Sequence, residues 1–202
     1  YIIEDDYDSE LRLGGKPIPT LQSIDISEKV IYMNTFTKSL APTIRISYMV
    51  LPLHLLKKYQ ESCSFYSTTV SKIQQEVLRE FIRGGYFGRH LNKMRGIYKN
   101  KHDFLVGELK KKNWVENIAG DNAGLHVLVQ VNTTLTEEEI CKKAAECGIR
   151  LMGIREHYIH TPPEGRPVLL LGYGKPDEQE IQKGLEVLES IVLENRIPLP
   201  LR

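Results

Sequence analysis

Short apolar runs separated by polar loops dominate the first fifty residues. Tyr1–Ile3, Val30–Met33 and Ile46–Leu51 each have the length and apolar character of a buried strand. A polar stretch interrupted by glycines and prolines separates the first two runs. Short buried strands joined through loops and helices are typical of a mostly parallel sheet that is covered on both faces. We therefore predict an α/β fold for this part of the chain.

Helical periodicity replaces the strand pattern after Pro52. Leu53–Glu61 and Thr69–Arg83 are predicted helices, and Pro52 suits the opening turn of the first. Glycines follow the second helix, where a left-handed residue commonly ends a helix. A longer helix is predicted from about residue 88 to residue 112. One of its sides is apolar and the other strongly basic, and we interpret the basic side as a solvated surface.

The remaining sequence alternates short strands and helices. Thr136 followed by Glu139 is a capping-box pattern and predicts a helix start. These changes of pattern divide the chain into residues 1–87, a connecting long helix at 88–112, and a small α/β domain at 113–202. The predicted strands of that domain are Leu125–Val131, Ile149–Met152 and Val168–Gly172, and its helices are Thr136–Cys147 and Asp177–Glu194.

Composition narrows the range of functions. The 202 residues are 41% apolar and 26% charged, which is typical of a globular protein. The formal net charge of +1 gives no general electrostatic preference for nucleic acid or anionic membranes. No apolar run approaches the roughly 20 residues of a membrane span, so we expect a soluble, cytoplasmic protein. Cys63, Cys141 and Cys147 fit neither a zinc site nor a disulfide framework and are expected to be reduced thiols.

The segment between the second and third predicted strands carries the most informative chemistry. Lys38 falls on this loop at the edge of a sheet, where open α/β sheets bind ligands. A lysine beside a cationic group and partly shielded from water favours the neutral amine that forms a Schiff base with an aldehyde. Three hydroxyls and one guanidinium surround it and suit a phosphate dianion. They belong to Thr35, Thr37, Ser39 and Arg45.

An acidic cluster follows the first predicted strand. Asp5 lies at the carboxyl end of that strand, and adjacent parallel strands would bring it to the same sheet edge as Lys38. A carboxylate facing a pyridine nitrogen keeps that nitrogen protonated, which makes the ring an electron sink. The phenol of Tyr7 could bond the ring's 3-hydroxyl oxygen. Lysine, carboxylate, phenol and phosphate-binding groups together describe a site for pyridoxal phosphate.

Three segments resemble aminotransferases of class I and II, which are pyridoxal-phosphate-dependent transferases of fold type I. They are E-D-D-Y-D-S-E-L-R at 4–12, T-F-T-K-S-L-A-P-T-I-R-I-S-Y at 35–48, and G-R-H-L-N-K-M-R-G-I-Y at 88–98. More narrowly, they are similar to the aminotransferase-like domain of MocR-type transcriptional regulators of the GntR superfamily. The resemblance implies that residues 1–87 are the C-terminal portion of a large, cofactor-binding domain with a mainly parallel sheet.

The resemblance also implies roles for individual residues. Lys38 matches the Schiff-base lysine, and Asp5 matches the aspartate on the pyridinium nitrogen, with Asp6 as the alternative if the register differs by one. Thr37 stands where a serine is more usual in the family. The other matches are Tyr7 to the tyrosine on the ring oxygen, Thr35 and Arg45 to the phosphate contacts, and Arg155 to an arginine that holds the effector's carboxylate.

Two further side chains could either contact a ligand at the implied site or have a purely structural role. Arg166 is a second candidate for contact with a carboxylate, although the glycine and proline around it predict an exposed turn. His126 lies on an apolar strand and is predicted to be a core histidine rather than a ligand.

Two functions are compatible with these residues. The first is a regulatory module that binds pyridoxal phosphate and senses an amino acid or ω-amino acid effector through external aldimine formation, with little or no turnover. In the MocR-type regulators DNA is bound by an N-terminal winged-helix domain, which is not expected within these 202 residues. The resemblance also implies a homodimer. The second function is that of a plain aminotransferase acting on an amino acid.

The acidic segment favours the regulator. Tyr7 directly follows Asp5 and Asp6, as in the regulators, whereas a proline follows the two aspartates in the most similar enzymes. The start at Tyr1 and the resemblance imply that the 202 residues are part of a longer chain. We therefore expect this part alone to bind the cofactor weakly.

Overall fold

The computed structural model describes residues 1–16, 18–120, 124–161 and 165–195. The chain divides into two compact units, Tyr1–Arg95 and Gly96–Arg202. The boundary falls inside the longest helix. Among the described residues, none of the helices combines the length and the apolar character needed to cross a lipid bilayer.

Unit 1 is built on a three-stranded sheet whose order follows the sequence: β1 (Ile2–Asp5), β2 (Val30–Thr35) and β3 (Ser47–Val50). β1 and β2 are parallel, as predicted. β3 runs antiparallel to β2. The connection at 36–46 is too short for the crossover that a parallel neighbour requires, since such crossovers take a dozen or more residues. Of the two strand pairs in this sheet, the β1–β2 pair is therefore the one that has the predicted parallel arrangement.

The α-helices that lie in unit 1 or begin there, among the described residues, are α1 (Leu21–Ile24), α2 (Phe36–Ser39), α3 (Leu53–Cys63), α4 (Lys72–Arg83) and α5 (Tyr86–Lys110). The Ser71 side chain caps α4 by accepting from the Gln74 amide. Gly85 separates α4 from α5 with a φ of 68°, a left-handed conformation that glycine adopts without a steric clash. The glycines after the predicted second helix therefore end it as expected.

The sheet of unit 1 is much more exposed than predicted. Val30 of β2 is buried, but Ile3 of β1 and Met49 of β3 are 67% and 52% exposed. No layer within the described residues covers the outer strands, so the expectation of a sheet buried on both faces is wrong for this chain. The buried apolar side chains of unit 1 include Leu11, Val30 and Leu91.

Unit 2 contains an antiparallel sheet of order β4-β5-β7-β6, which comprises β4 (Val115–Ala119), β5 (His126–Val131), β6 (Met152–Gly153) and β7 (Val168–Gly172). Helices α6 (Glu137–Glu146) and α7 (Glu178–Leu193) complete it. Alternate residues of the central strands are buried, as the period of a strand requires. The capping box at Thr136 is confirmed, and Asp177 forms a second one at the start of α7. β4 was not predicted.

An ion pair secures the buried Trp114 in unit 2. The Glu189 carboxylate accepts hydrogen bonds from Lys112 Nζ at 2.8 Å and from Trp114 Nε1 at 3.1 Å. The bond from Lys112, and after it the bond from Trp114, lower the pKa of Glu189, while burial opposes them. The folded state therefore gains stability from the ionised carboxylate above the unfolded pKa of about 4.3. That gain is lost as the pH falls through the lowered folded pKa.

We expect Glu189→Gln to reduce the free energy of unfolding at pH 7 by roughly 1–2 kcal/mol, as for bonds to a charged group. The difference from the unsubstituted protein should shrink as the pH falls below the unfolded pKa of about 4.3 and through the lowered folded pKa, because the native carboxylate is then protonated. Urea unfolding at several pH values measures both effects. Glu186→Gln, at an exposed position on the same helix, is the control. A constant difference at all pH values would contradict the assignment.

Candidate functional site

The end of β1 and the connection from β2 to β3 enclose an open cleft of about 300 Å³ in unit 1. The six residues predicted to bind the cofactor all line it, although they come from two separate segments of the sequence. Three further residues, from β2 and β3, complete the lining. The full lining is Asp5, Tyr7, Met33, Asn34, Thr35, Thr37, Lys38, Arg45 and Ser47.

Strand geometry separates the two adjacent aspartates. Successive residues of a strand point to opposite faces, and Asp5, which pairs in register with Met33, lines the cleft. The Asp6 carboxylate instead accepts hydrogen bonds from the Tyr32 hydroxyl at 2.9 Å and the Ser9 hydroxyl at 2.7 Å. The geometry therefore favours Asp5 over Asp6 as the carboxylate available to a ligand.

Lys38, predicted to lie on a loop, lies in the four-residue helix α2 that opens the connection from β2 to β3. Hydroxyl groups hold this connecting loop. Thr35 caps α2 by accepting from the Thr37 amide at 3.2 Å. Its hydroxyl also lies 3.2 Å from the Ile46 carbonyl, and the Thr37 hydroxyl donates to the Ile44 carbonyl at 3.0 Å. These bonds tie the start of the loop to its end, so that Lys38 and Arg45 both reach the cleft.

Aromatic packing anchors the same loop from behind. The Phe36 ring lies 5.4 Å from the Tyr48 ring and 5.8 Å, edge-on, from the Phe87 ring of α5. Ser39 is turned inward and is 2% exposed, so its hydroxyl does not line the cleft. Of the three hydroxyls predicted around Lys38, those of Thr35 and Thr37 therefore belong to residues that line the cleft.

The charged side chains of the cleft are not paired with one another. Within the described part of the chain, Asp5, Lys38 and Arg45 make no side-chain hydrogen bond or ion pair. Lys38 and Arg45 are exposed, so the predicted shielding of Lys38 from water is not found in this chain. Two cations, a carboxylate and a phenol thus face one open cleft, which suits a ligand that carries both an anionic group and a basic nitrogen.

Arg155 lies in unit 2, in a 3₁₀ turn at Arg155–His157. Its backbone amide donates to the Glu137 carboxylate at 2.8 Å, and its guanidinium lies 3.8 Å from the same carboxylate. The guanidinium also donates to the Gly165 carbonyl at 3.1 Å. Its role toward an effector stays a prediction.

The other two side chains considered near the site differ from their predictions. Arg166 is half-buried rather than exposed, because it pairs with Glu116 at 2.6 Å and bonds the Asn132 side chain. These two contacts give the Arg166 side chain a structural role within unit 2. His126 is exposed at the first position of β5 instead of lying in the core.

A polar cluster behind the cleft was missed by sequence reasoning. The side chains of Tyr32 and Asn34 share one face of β2 and bond each other at 2.8 Å, and Asn34 also bonds Glu10 at 3.0 Å. Two polar side chains at i and i+2 of β2, which share one face of the strand, were the available signal. No group of three or more histidine, cysteine or acidic side chains that could hold a metal ion occurs among the described residues.

Comparison with known proteins adds evidence independent of this geometry. The family model for aminotransferase class I and II matches residues 11–179. The HTH-type transcriptional regulator YdeL of Bacillus subtilis is 40% identical over 94% of this chain and 41% of its own length. The probable rhizopine catabolism regulatory protein MocR of Rhizobium meliloti is 33% identical over 100% of this chain and 41% of its own. The chain thus spans about two fifths of the length of these regulators.

Solved structures share the fold. The kynurenine aminotransferase of Pyrococcus horikoshii, determined in complex with PMP, superposes with a TM-score of 0.80 at 26% identity. The match covers 95% of this chain and 47% of that enzyme. The predicted fold, the fold type I of aminotransferases, is confirmed over about half of such a structure.

Proposed function

Because this chain belongs to the aminotransferase class I and II family, we propose that it binds pyridoxal phosphate through Lys38 as the effector-binding domain of a MocR/GntR-type transcriptional regulator. The observation that carries the proposal is the convergence of Asp5, Tyr7 and the Lys38 loop on one cleft. These groups come from two strands whose parallel register places their carboxyl ends together.

The residues of the cleft fit the chemical groups of this cofactor. The hydroxyls of Thr35 and Thr37 and the Arg45 guanidinium suit a phosphate, since a guanidinium can donate two parallel bonds to it. Asp5 offers a carboxylate to a ring nitrogen. The charges of Asp5 and Arg45 are unpaired within the described residues, so binding would break no ion pair there.

When bound, pyridoxal phosphate supplies an aldehyde that condenses reversibly with amines and a ring that withdraws electrons from the attached group. Lys38 would hold the cofactor covalently and release it when an amino compound takes the amine's place. Asp5 would keep a proton on the ring nitrogen, and Tyr7 would bond the ring oxygen. Arg45 would balance the charge of the phosphate.

The relatives support a regulator. YdeL, named as an HTH-type transcriptional regulator, and MocR, named as a probable regulatory protein, are 40% and 33% identical to this chain, which spans about two fifths of their length. On this proposal DNA is bound by another part of the protein, the protein acts as a cytoplasmic homodimer, and Arg155 reads the carboxylate of an amino acid or ω-amino acid effector. A plain aminotransferase is the second candidate, favoured by the similarity to the Pyrococcus horikoshii enzyme.

Borohydride reduction of the full-length protein with bound pyridoxal phosphate tests the cofactor proposal. Reduction would fix the pyridoxyl group on the lysine, and mass spectrometry of peptides should find it on the peptide that contains Lys38. Labelling spread over exposed lysines such as Lys57 would contradict the proposal. Operator binding that changes with an added amino compound, without its conversion to a keto acid, would support the regulator. Many turnovers per subunit would support the enzyme.

A further inference from the structure

A network of side-chain hydrogen bonds lies on the face of the sheet opposite Asp5. We call the side chains of Asp6, Glu10, Tyr32 and Asn34 the back network. The Tyr32 hydroxyl donates to Asp6 Oδ2 at 2.9 Å and accepts from Asn34 Nδ2 at 2.8 Å. The same Asn34 nitrogen donates to Glu10 Oε1 at 3.0 Å.

The back network connects the two segments that form the cleft. Asp6 directly follows Asp5 in the acidic segment. Asn34 Oδ1 accepts the backbone amide of Thr35, the first residue of the lysine segment. Main-chain bonds between β1 and β2 end with the bond from the Asp6 amide to the Met33 carbonyl at 2.9 Å. Beyond that bond, side chains join the two segments. Asn34 contacts both Glu10 of the acidic segment and the Thr35 amide, and the Tyr32 hydroxyl links Asp6 to Asn34.

The buried setting makes these bonds specific. Asn34 is 3% exposed although it lines the cleft. Burial, and after it the Asp6 carboxylate, raise the pKa of Tyr32, while the bond from Asn34 opposes them. The hydroxyl therefore stays protonated and keeps donating to Asp6 at neutral pH. Glu10 Oε2 is buried without a partner in the described residues, so loss of the Asn34 amide would leave this carboxylate unsatisfied.

We propose that Tyr32 is a positioning residue of the cofactor site. By joining Asp6 to Asn34 it fixes the acidic segment against the lysine segment and thereby sets the direction of the Asp5 carboxylate. This inference rests on the proposed function. It adds to that function a residue outside the cleft lining.

The test compares Tyr32→Phe with the unsubstituted full-length protein. Phenylalanine keeps the ring packing and removes only the hydroxyl, so we expect an unchanged circular dichroism spectrum. The dissociation constant for pyridoxal phosphate should rise about tenfold, the equivalent of one lost bond to a charged group. The pH midpoint of the visible absorption band should shift, and amide hydrogens at 34–38 should exchange faster.

Two further variants distinguish positioning from a general loss of stability. Asp6→Asn keeps an oxygen that accepts from Tyr32 and should retain most of the affinity, whereas Asp6→Ala should reproduce the effect of Tyr32→Phe. Tyr59→Phe removes a hydroxyl from an exposed tyrosine of α3 and should change nothing. Unchanged affinity, absorption midpoint and exchange in Tyr32→Phe would overturn the inference.

The exchange measurement keeps this result separate from the proposed function. If the unsubstituted protein shows no visible band, the proposed function fails. Faster exchange at 34–38 in Tyr32→Phe without cofactor would still show that the hydroxyl holds the two segments together. Unchanged exchange would show that it does not.

Discussion

Replacing Lys38 by alanine is expected to abolish the visible absorption band that the full-length protein develops with pyridoxal phosphate. The band arises from the covalent link to an amine, and no other lysine lines the cleft within the described residues. Arg45, Thr35 and Thr37 remain in the variant, so residual binding through the phosphate is expected without the visible band. Absorption spectra after gel filtration measure the retained cofactor.

Lys57→Ala is the matched control, because Lys57 is an exposed lysine on α3 of the same unit. It should keep the band at full intensity. A band of normal intensity in Lys38→Ala would mean that another amine holds the cofactor, and the site proposed here would then be wrong. Loss of the band in both variants would point to a change in the folded state, which circular dichroism would reveal.

Glu137→Ala is expected to lower the free energy of unfolding by about 3 kcal/mol. The Glu137 side chain is 5% exposed and stands at the start of α6. One carboxylate oxygen accepts from the Arg155 amide at 2.8 Å, and the other accepts from the Val168 amide at 2.9 Å. Each bond to a buried charged group contributes roughly 1.5–3 kcal/mol, and the substitution leaves both amides without that acceptor. Urea unfolding followed by circular dichroism measures the change.

The neighbouring Glu138 provides the control for this substitution. It lies on the exposed side of the same helix turn, and Glu138→Ala should change the free energy of unfolding by less than about 0.5 kcal/mol. Equal unfolding midpoints for the two variants would contradict the structural role of Glu137.

Gly153 also supports a structural role for Glu137, because a Cβ atom at position 153 would collide with the Glu137 carboxylate. The helix start and the Gly153–Arg155 segment are therefore closely fitted.

The parts of the fold predicted from sequence were those encoded by local patterns. The apolar runs located β1, β2 and β3, and the Thr136–Glu139 spacing located the start of α6. The cleft lining also followed from sequence, because a loop lysine and a strand-end aspartate meet whenever their strands are parallel neighbours.

The parts that were missed depend on tertiary contacts. Asn34 and Glu137 are buried polar residues whose hydrogen-bond partners lie far away in the sequence. The identity of one polar residue does not show which distant residue it will bond. β4 has two adjacent polar residues, Glu116 and Asn117, among its five and is held by its pairing with β5. The exposure of Ile3 and Met49 follows from which layers the described chain contains, and local periodicity carries no information about that.

The opposite orientations of Asp5 and Asp6 have a consequence for how this sequence can change. Deleting one residue within β1 would bring Asp6 to the cleft position of Asp5 and turn Asp5 to the opposite face. Because both are aspartates, a carboxylate would still face the cleft. Tyr7, two residues after Asp5, would nevertheless leave the cleft face. Two adjacent aspartates therefore tolerate a change of strand register only partly. The position of Tyr7 is what makes one register of β1 preferable to the other.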